Sequence, residues 1–187
     1  MLVGKFWLRL DIREHGSGNI GMTNVMRVGG KSAGILTFVL DFLKGTASVL
    51  FAKNLLTHPD LSPEALTSLL SLVAVITVCG HIFSVFLKFK GGKGVSTLFG
   101  VLAVVHLKVA LFAGGIWIGM FLLKRTSSLS ALTMLFALPL LFSFAPQLSE
   151  APFSGVQSFL FTLLSLLMIY RHRDNIARLV QGKEGKL

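Results

Sequence analysis

The sequence predicts an all-α, polytopic helical bundle set in a membrane, and three observations predict it. Apolar residues make up 53% of the 187 residues and charged ones only 14%, where a soluble domain carries about a quarter. Mean hydropathy is +0.76, and the apolar residues fall in tracts near the ~20 residues that a crossing helix needs. The basic residues, which give a net charge of +10, sit mostly between those tracts. In a soluble protein that charge would suggest nucleic acid. Here an excess of Lys and Arg on the inner side of a membrane accounts for it, and no nucleic-acid partner is expected. The single cysteine, Cys79, excludes an internal disulfide and a cysteine-rich metal site. The N-terminal "MLVGKFWLRLDIREHG" lacks the apolar core of a cleavable signal peptide. One membrane-embedded domain over residues 1–187 is expected.

In chain order the apolar tracts are Ala33–Ala52, Leu66–Phe89, Val95–Leu123, Leu129–Ala145 and Phe153–Tyr170. The third is long for one crossing and is interrupted by His106 and Lys108. Four segments are basic: Arg13 to Lys31, Lys88 to Lys93, Lys124-Arg125, and Arg171 to Lys186. The loops "NLLTHPDLSPE" from Asn54 and "QLSEAP" from Gln147 contain no Lys or Arg. Positive segments remain in the cytoplasm. That rule fails at Lys124-Arg125 if the third tract crosses once, and holds if the tract turns near His106–Lys108. A hairpin of two short packed helices is therefore expected, with His106 and Lys108 as turn residues on the far side. The alternative is one long tilted helix. The hairpin gives about six crossings.

This topology collects three polar clusters on one side. "HGSGNIGMTNVMRVGGK" supplies Ser17, Asn19, Thr23, Asn24 and Arg27. Its hydroxyls, amides and guanidinium suit a polyol phosphate, although Asx turns and helix caps use the same residues. "GHIFSVFLKFKGGKGVST" places Lys90, Gly91, Gly92, Lys93 and Gly94 before an apolar helix, with Ser96 and Thr97 in its first turn. Glycines let backbone N–H groups face an anion, and the helix start adds its dipole. It is not a Walker loop, which needs Ser or Thr directly after Gly-Lys. A basic turn lying on anionic lipid is the competing reading. "YRHRDNIARLVQGKE" carries His172 and Asn175, three apart and so on one helix face. His172 can act as a base or as a donor to a developing oxyanion. Arg171, Arg173 and Arg178 read as interfacial cations. Asp41 and Lys44 lie within the first tract, where ionisable groups face the protein interior, and their spacing also suits a mutual ion pair. His81 follows Gly80 near the end of the second tract. No G-x-S-x-G elbow and no metal-ligand spacing is present. Direct transfer between two bound phosphate-bearing substrates is the chemistry these residues suit.

In order and with their intervening spans, these three motifs resemble those of the bacterial acyl-phosphate-dependent glycerol-3-phosphate acyltransferases, from about Asp11 to Glu184. The resemblance implies a seven-crossing enzyme of the bacterial inner membrane with its active site facing the cytoplasm. It implies transfer of a fatty acyl group from acyl phosphate to the sn-1 hydroxyl of glycerol 3-phosphate. Lysophosphatidic acid and phosphate would be the products, with no cofactor and no metal. It assigns catalytic roles to Ser17, Lys93, His172 and Asn175. It assigns substrate binding to Asn19, Thr23, Asn24, Arg27, Asp41, Lys44, His81, Lys90, Gly91, Gly92, Gly94, Ser128 and Glu184. The H-x-x-x-x-D motif of other acyltransferases is missing here, as in that family. Met22 stands where the family has Ala, Ser84 where it has Pro, and Ser96 where it has Ala. The family opens with a full apolar span containing G-S-[IV]-P, whereas only "MLVGKFWLRL" precedes Asp11, ~15 Å of helix. The chain is thus expected to carry six of the seven crossings. Rival readings are an organic-phosphate transporter, which internal repeats and midplane sites would favour, and a structural protein with lipid-binding basic loops.

Overall fold

The computed structural model of the chain describes residues 3–148 and 154–187, and over these it is helical without strands. Short turns at Val3–Trp7 and Ile12–Glu14 precede α1 (Met22–Leu56). There follow α2 (Pro63–Ile82), α3 (Val95–Val105), α4 (Leu107–Lys124), α5 (Ser127–Ser143), α6 (Ala145–Leu148), α7 (Gly155–Arg171) and α8 (Arg173–Val180). Residues 149–153 of the loop expected from Gln147, with the expected start of the last tract at Phe153, lie outside the described residues.

α1 is bent at Gly30, whose φ of 82° and ψ of 175° break the helical run and suit a residue without Cβ. α2 begins with a full set of start signals. Ser62 accepts from Ala65 N, Pro63 occupies the first turn, and Glu64 meets the positive helix end. The tract expected to run on to Phe89 stops as a helix at Ile82. Gly91 N donates to Ile82 O (3.0 Å) and Phe89 N to Ser84 O (2.9 Å), taking carbonyls a continuing helix would have used itself. Lys88 and Phe89 turn the chain with φ of 51° and 62°.

The long third tract breaks at His106, where φ is −149° and ψ is 83°. A Cβ on Gly114 would lie 3.8 Å from the Phe99 ring; in one continuous helix the two would stand roughly 22 Å apart. α3 and α4 therefore fold back on one another. His106 is more than a turn residue. It is buried, donates from Nε2 to Gln157 Oε1 on α7 (2.8 Å), and meets the Phe142 ring edge-on. Lys108, in the first turn of α4, is exposed.

α1, α2 and α4 are each long and apolar enough to cross a membrane. α5 and α7, 17 residues each, match the short end of the crossing range. α3 has 11 residues, ~16 Å of helix, about half a hydrocarbon core. Large apolar side chains such as Phe51, Ile76 and Leu123 face outward, as lipid contact requires. Without water to drive helices together, close approach and interlocking shape hold them. α1 packs most extensively against α3, and small residues make this possible. A Cβ on Gly100 would stand 2.1 Å from Phe42 O, and one on Gly45 2.6 Å from Thr97 O. Thr46 Oγ1 donates to Gly100 O across the same seam (3.0 Å). Behind it, Leu98, Leu102, Leu135, Leu138, Phe142, Phe161 and Met168 form the core.

Gly100→Leu is expected to destabilise the bundle by ~1–3 kcal/mol or more, as overpacking does. Gly115→Ala, where nothing lies within 4 Å of the new methyl, leaves it unchanged. Thermal unfolding in detergent measures both, and equal unfolding temperatures for the two variants would contradict the seam.

Candidate active site

The starts of α1, α3 and α5, the end of α2 and the α7–α8 junction gather at one end of the bundle, and each brings part of one cavity. The segment before α1 is a glycine turn, with φ of 61° at Gly16 and 70° at Gly18. Asn24 holds this turn from beneath. Its Oδ1 accepts from Ser17 N (2.8 Å), and its Nδ2 donates to His15 O (2.9 Å) and Ile12 O (3.3 Å). Asn24 is buried and its amide is committed to the turn, so it shapes the rim that presents Ser17 and Asn19. Asn19 Oδ1 accepts from Gly21 N (3.3 Å). Thr23 shares a hydrogen bond with Ser127 at the start of α5 (2.9 Å). Arg27 donates to Gly185 O on the C-terminal tail (2.6 Å).

The glycine-lysine loop follows from what its neighbours leave free. A Cβ on Gly91 would stand 2.0 Å from His81 O, and one on Gly92 2.2 Å from His81 Nε2, so neither position admits a side chain. Gly94 caps α3 with φ of 90° and supplies no side-chain bond. The first-turn N–H groups at Val95 and Ser96 thus have no intrahelical partner, and both residues line the cavity. Lys93 donates to Asn175 Oδ1. Burial brings its ammonium down to about 8, with the nearby Glu184 carboxylate opposing that fall. Lys90 is exposed away from the cavity, and Thr97 is buried against α1.

His172, at the α7–α8 junction, is 2% exposed. Its Nδ1 lies 2.7 Å from Met168 O. A carbonyl only accepts, so Nδ1 carries the proton and Nε2 keeps a lone pair. Burial, then the Lys93 ammonium, push the imidazole down to about 4, leaving it neutral near pH 7. Glu184 joins three segments. Its Oε1 accepts from Ser128 Oγ (2.8 Å) and Asn175 Nδ2 (2.7 Å), and its Oε2 from Arg178 Nε (2.6 Å). Burial alone would raise this carboxyl, but the bonds from Arg178, Ser128 and Asn175 outweigh it and hold it below its usual 4.5. Two of the three cations expected at the interface are inward ties instead. Arg178 pairs with Glu184, and Arg171 donates to Gly91 O (3.3 Å). Arg173 lies over the Tyr170 ring (4.9 Å).

Within the bundle, Lys44 Nζ lies 2.5 Å from both Asp41 Oδ1 and His81 Nδ1. Asp41 and His81 face the cavity; Lys44 stands behind them.

The cavity measures about 490 Å³. Its polar end holds Ser17, Asn19, Thr23, Asn24, Arg27, Asp41, His81, Lys93, Gly94, Ser128, His172, Asn175 and Glu184 from the sequence-derived set. Lys44, Lys90, Gly91 and Gly92 lie outside its lining. Ser127 joins it unforeseen; its only signal was its place beside Ser128. The other end is an apolar arm between α3 and α4, formed by Phe99, Ala103, Leu107, Ala110, Leu111, Gly114, Trp117 and Ile118. Sequence reading singled out none of these for binding. Leu107, Leu111 and Ile118 are 58%, 66% and 54% exposed, so the arm opens sideways on the lipid-facing surface. Among the described residues no three His, Cys, Asp or Glu side chains are placed to hold one metal ion.

A polytopic bundle of this kind is a helical membrane protein, and its cavity joins a polar end carrying Lys93 and Arg27 to an apolar arm. The family model described as glycerol-3-phosphate acyltransferase matches residues 1–182. Relatives bearing that name include one from Mesorhizobium japonicum, 42% identical over 95% of this chain and 82% of the relative. Another, from Neisseria meningitidis, is 41% identical over 100% and 88%. A crystal structure of PlsY, an integral membrane glycerol 3-phosphate acyltransferase, in its glycerol 3-phosphate form superposes with a TM-score of 0.85 at 38% identity. It covers 100% of this chain and 86% of that one. The lysophosphatidic acid form of the same protein gives 0.82 with the same coverage. The chain belongs to the glycerol-3-phosphate acyltransferase family.

Glu184→Gln is expected to lower the unfolding temperature at pH 7, since hydrogen bonds to a charged group contribute ~1.5–3 kcal/mol. A carboxyl held low in the folded state stabilises it above its unfolded value and loses that contribution as pH falls. The gap between wild type and variant should therefore narrow below pH 4.5. A gap that stays constant into acid would contradict the network.

Proposed function

We propose that the protein transfers a fatty acyl group from acyl phosphate to the sn-1 hydroxyl of glycerol 3-phosphate, giving lysophosphatidic acid and inorganic phosphate. The observation that carries this reading is the continuity of the cavity: a polar end carrying Lys93 and Arg27 opens directly into an apolar arm. A transporter for a small organic phosphate has no use for that arm.

The acyl chain lies along α3 and α4, entering from the lipid side. The phosphate of the acyl donor meets Lys93 and the free N–H groups at the start of α3. Glycerol 3-phosphate sits beneath the glycine turn, with its phosphate near Arg27 and its hydroxyls near Ser17, Thr23 and Ser127. The neutral His172 accepts a hydrogen bond at Nε2 from the attacking hydroxyl. That oxygen attacks the acyl carbonyl carbon, the carbonyl–phosphate C–O bond breaks, and phosphate leaves with the bonding pair. An imidazole held near 4 is a poorer base than a phosphate monoester dianion, whose second ionisation is near 6. The proton therefore ends on phosphate, and His172 orients the hydroxyl. Lys93 and the helix start stabilise the charge that develops on the leaving group. Holding both substrates in line supplies further rate. The four basic segments share the site's end of the bundle, which by the positive-inside rule supports a cytoplasmic position for this end, in a bacterial inner membrane.

Purified protein in detergent is expected to release phosphate from palmitoyl phosphate only when glycerol 3-phosphate is present, and to acylate its terminal hydroxyl. His172→Ala and Lys93→Ala should lose more than ~100-fold in kcat/KM while remaining folded. Turnover with palmitoyl-CoA and none with palmitoyl phosphate would overturn the donor. Wild-type rates in both variants would overturn the site.

A further inference from the structure

Asp41, Lys44 and His81 form a polar cluster, with His81 buried, Asp41 half-buried and Lys44 exposed at its outer edge, to which the transfer chemistry above gives no part. We propose that Lys44 is a positioning residue: it locks His81 in the tautomer that presents Nε2–H to the acyl-phosphate head. The inference rests on the proposed acyl-phosphate chemistry for the identity of that head.

An ammonium has three donors and no acceptor. With Lys44 Nζ at 2.5 Å, His81 Nδ1 must be the accepting nitrogen, so its proton sits on Nε2. Asp41 Oδ1 stands 2.5 Å from the same nitrogen, so the lysine donates to a carboxylate on one side and to the imidazole on the other. The other arrangement, an imidazolium paired with Asp41, would set two cations against each other. The His81 side chain is 6% exposed, and it lines the cavity beside Lys93 and Gly94. Its Nε2 abuts Gly92 closely enough that a Cβ there would stand 2.2 Å away. Among the described residues no protein acceptor takes the Nε2 proton. The glycine loop therefore rests on a ring whose outward nitrogen is a donor, beside the N–H groups that begin α3. His172, also in the cavity lining, has the opposite tautomer, with Nδ1 protonated and the lone pair on Nε2. One imidazole gives a hydrogen bond to the donor phosphate; the other accepts one from the attacking hydroxyl.

The test combines nitrogen NMR of 15N-histidine-labelled protein in detergent with kinetics. In wild type, His81 should show a bare Nδ1 and a protonated Nε2, assigned by the signal lost in His81→Gln. Inorganic phosphate should shift the Nε2–H resonance. Lys44→Met should abolish the single-tautomer signature. His81→Asn keeps an oxygen acceptor for Lys44 and loses the far donor. It should raise KM for palmitoyl phosphate at least ~10-fold, the value of a hydrogen bond to a charged group, with KM for glycerol 3-phosphate unchanged. His81→Gln, whose amide nitrogen reaches the Nε2 position, should restore much of the loss. A protonated Nδ1 in wild type, an Nε2–H unmoved by phosphate, or an unchanged KM in His81→Asn would each overturn the proposal. If wild type turns over no palmitoyl phosphate, the proposed function falls; the two NMR readings, which need no turnover, still judge the tautomer and the anion contact.

Discussion

The site depends on one chain of hydrogen bonds, from Lys93 through Asn175 to Glu184. Lys93 belongs to the loop before α3, Asn175 to α8, and Glu184 to the tail beyond it. Glu184 then reaches Ser128 on α5 and Arg178 on α8. The loop, α5 and α8 are far apart in sequence, and this chain ties them together beside the bonds from Arg171 to Gly91 and from Arg27 to Gly185. In a helical membrane protein apolar packing chooses little, because lipid is as apolar as the helix faces. Polar contacts at the helix ends are what fix the relative height and rotation of the helices. A carboxylate that is 5% exposed and carries three donors is such a contact.

Given that chain, the rest of the cavity follows from glycine. Gly91 and Gly92 let the loop press onto His81, and Gly94 turns it into α3 without a capping side chain. The proposed seat of the donor phosphate is therefore made of backbone and Lys93, while α3 and α4 carry the apolar arm away from it. Gly45 and Gly100 bring α1 against α3. That contact sets Asp41 and Lys44 at the level of His81. The proposed reaction centre and the apolar arm thus share the short helix α3, and the reacting carbonyl would lie near its first turn, where water-facing and lipid-facing surroundings meet.

Much of this was legible in the sequence, for identifiable reasons. The break at His106 could be read because Lys124-Arg125 had to remain on the basic side, a constraint that acts over the whole chain. The three polar clusters were visible because Gly, Asn and Lys are out of place among apolar tracts. What could not be read was direction. Asn24 looks like a ligand residue, yet its amide is spent on the turn it belongs to. Arg171 and Arg178 look like interfacial cations, yet one ties down Gly91 and the other pairs with Glu184. The end of α2 at Ile82 was hidden because Phe83, Val85, Phe86 and Phe89 continue its apolar pattern while the backbone turns back. Trp117 and Leu111 gave no sign of binding, since an apolar residue in a lipid-facing helix is the ordinary case.

The proposed function requires one ligand to bridge the start of α3 and the apolar arm. The direct measurement is a crystal structure of this chain with a non-hydrolysable acyl phosphonate. The phosphonate oxygens are expected against Lys93 and the N–H groups of Val95 and Ser96, with the chain running between Phe99 and Gly114. A phosphonate seated at Arg27, or a chain lying outside the α3–α4 hairpin, would contradict it.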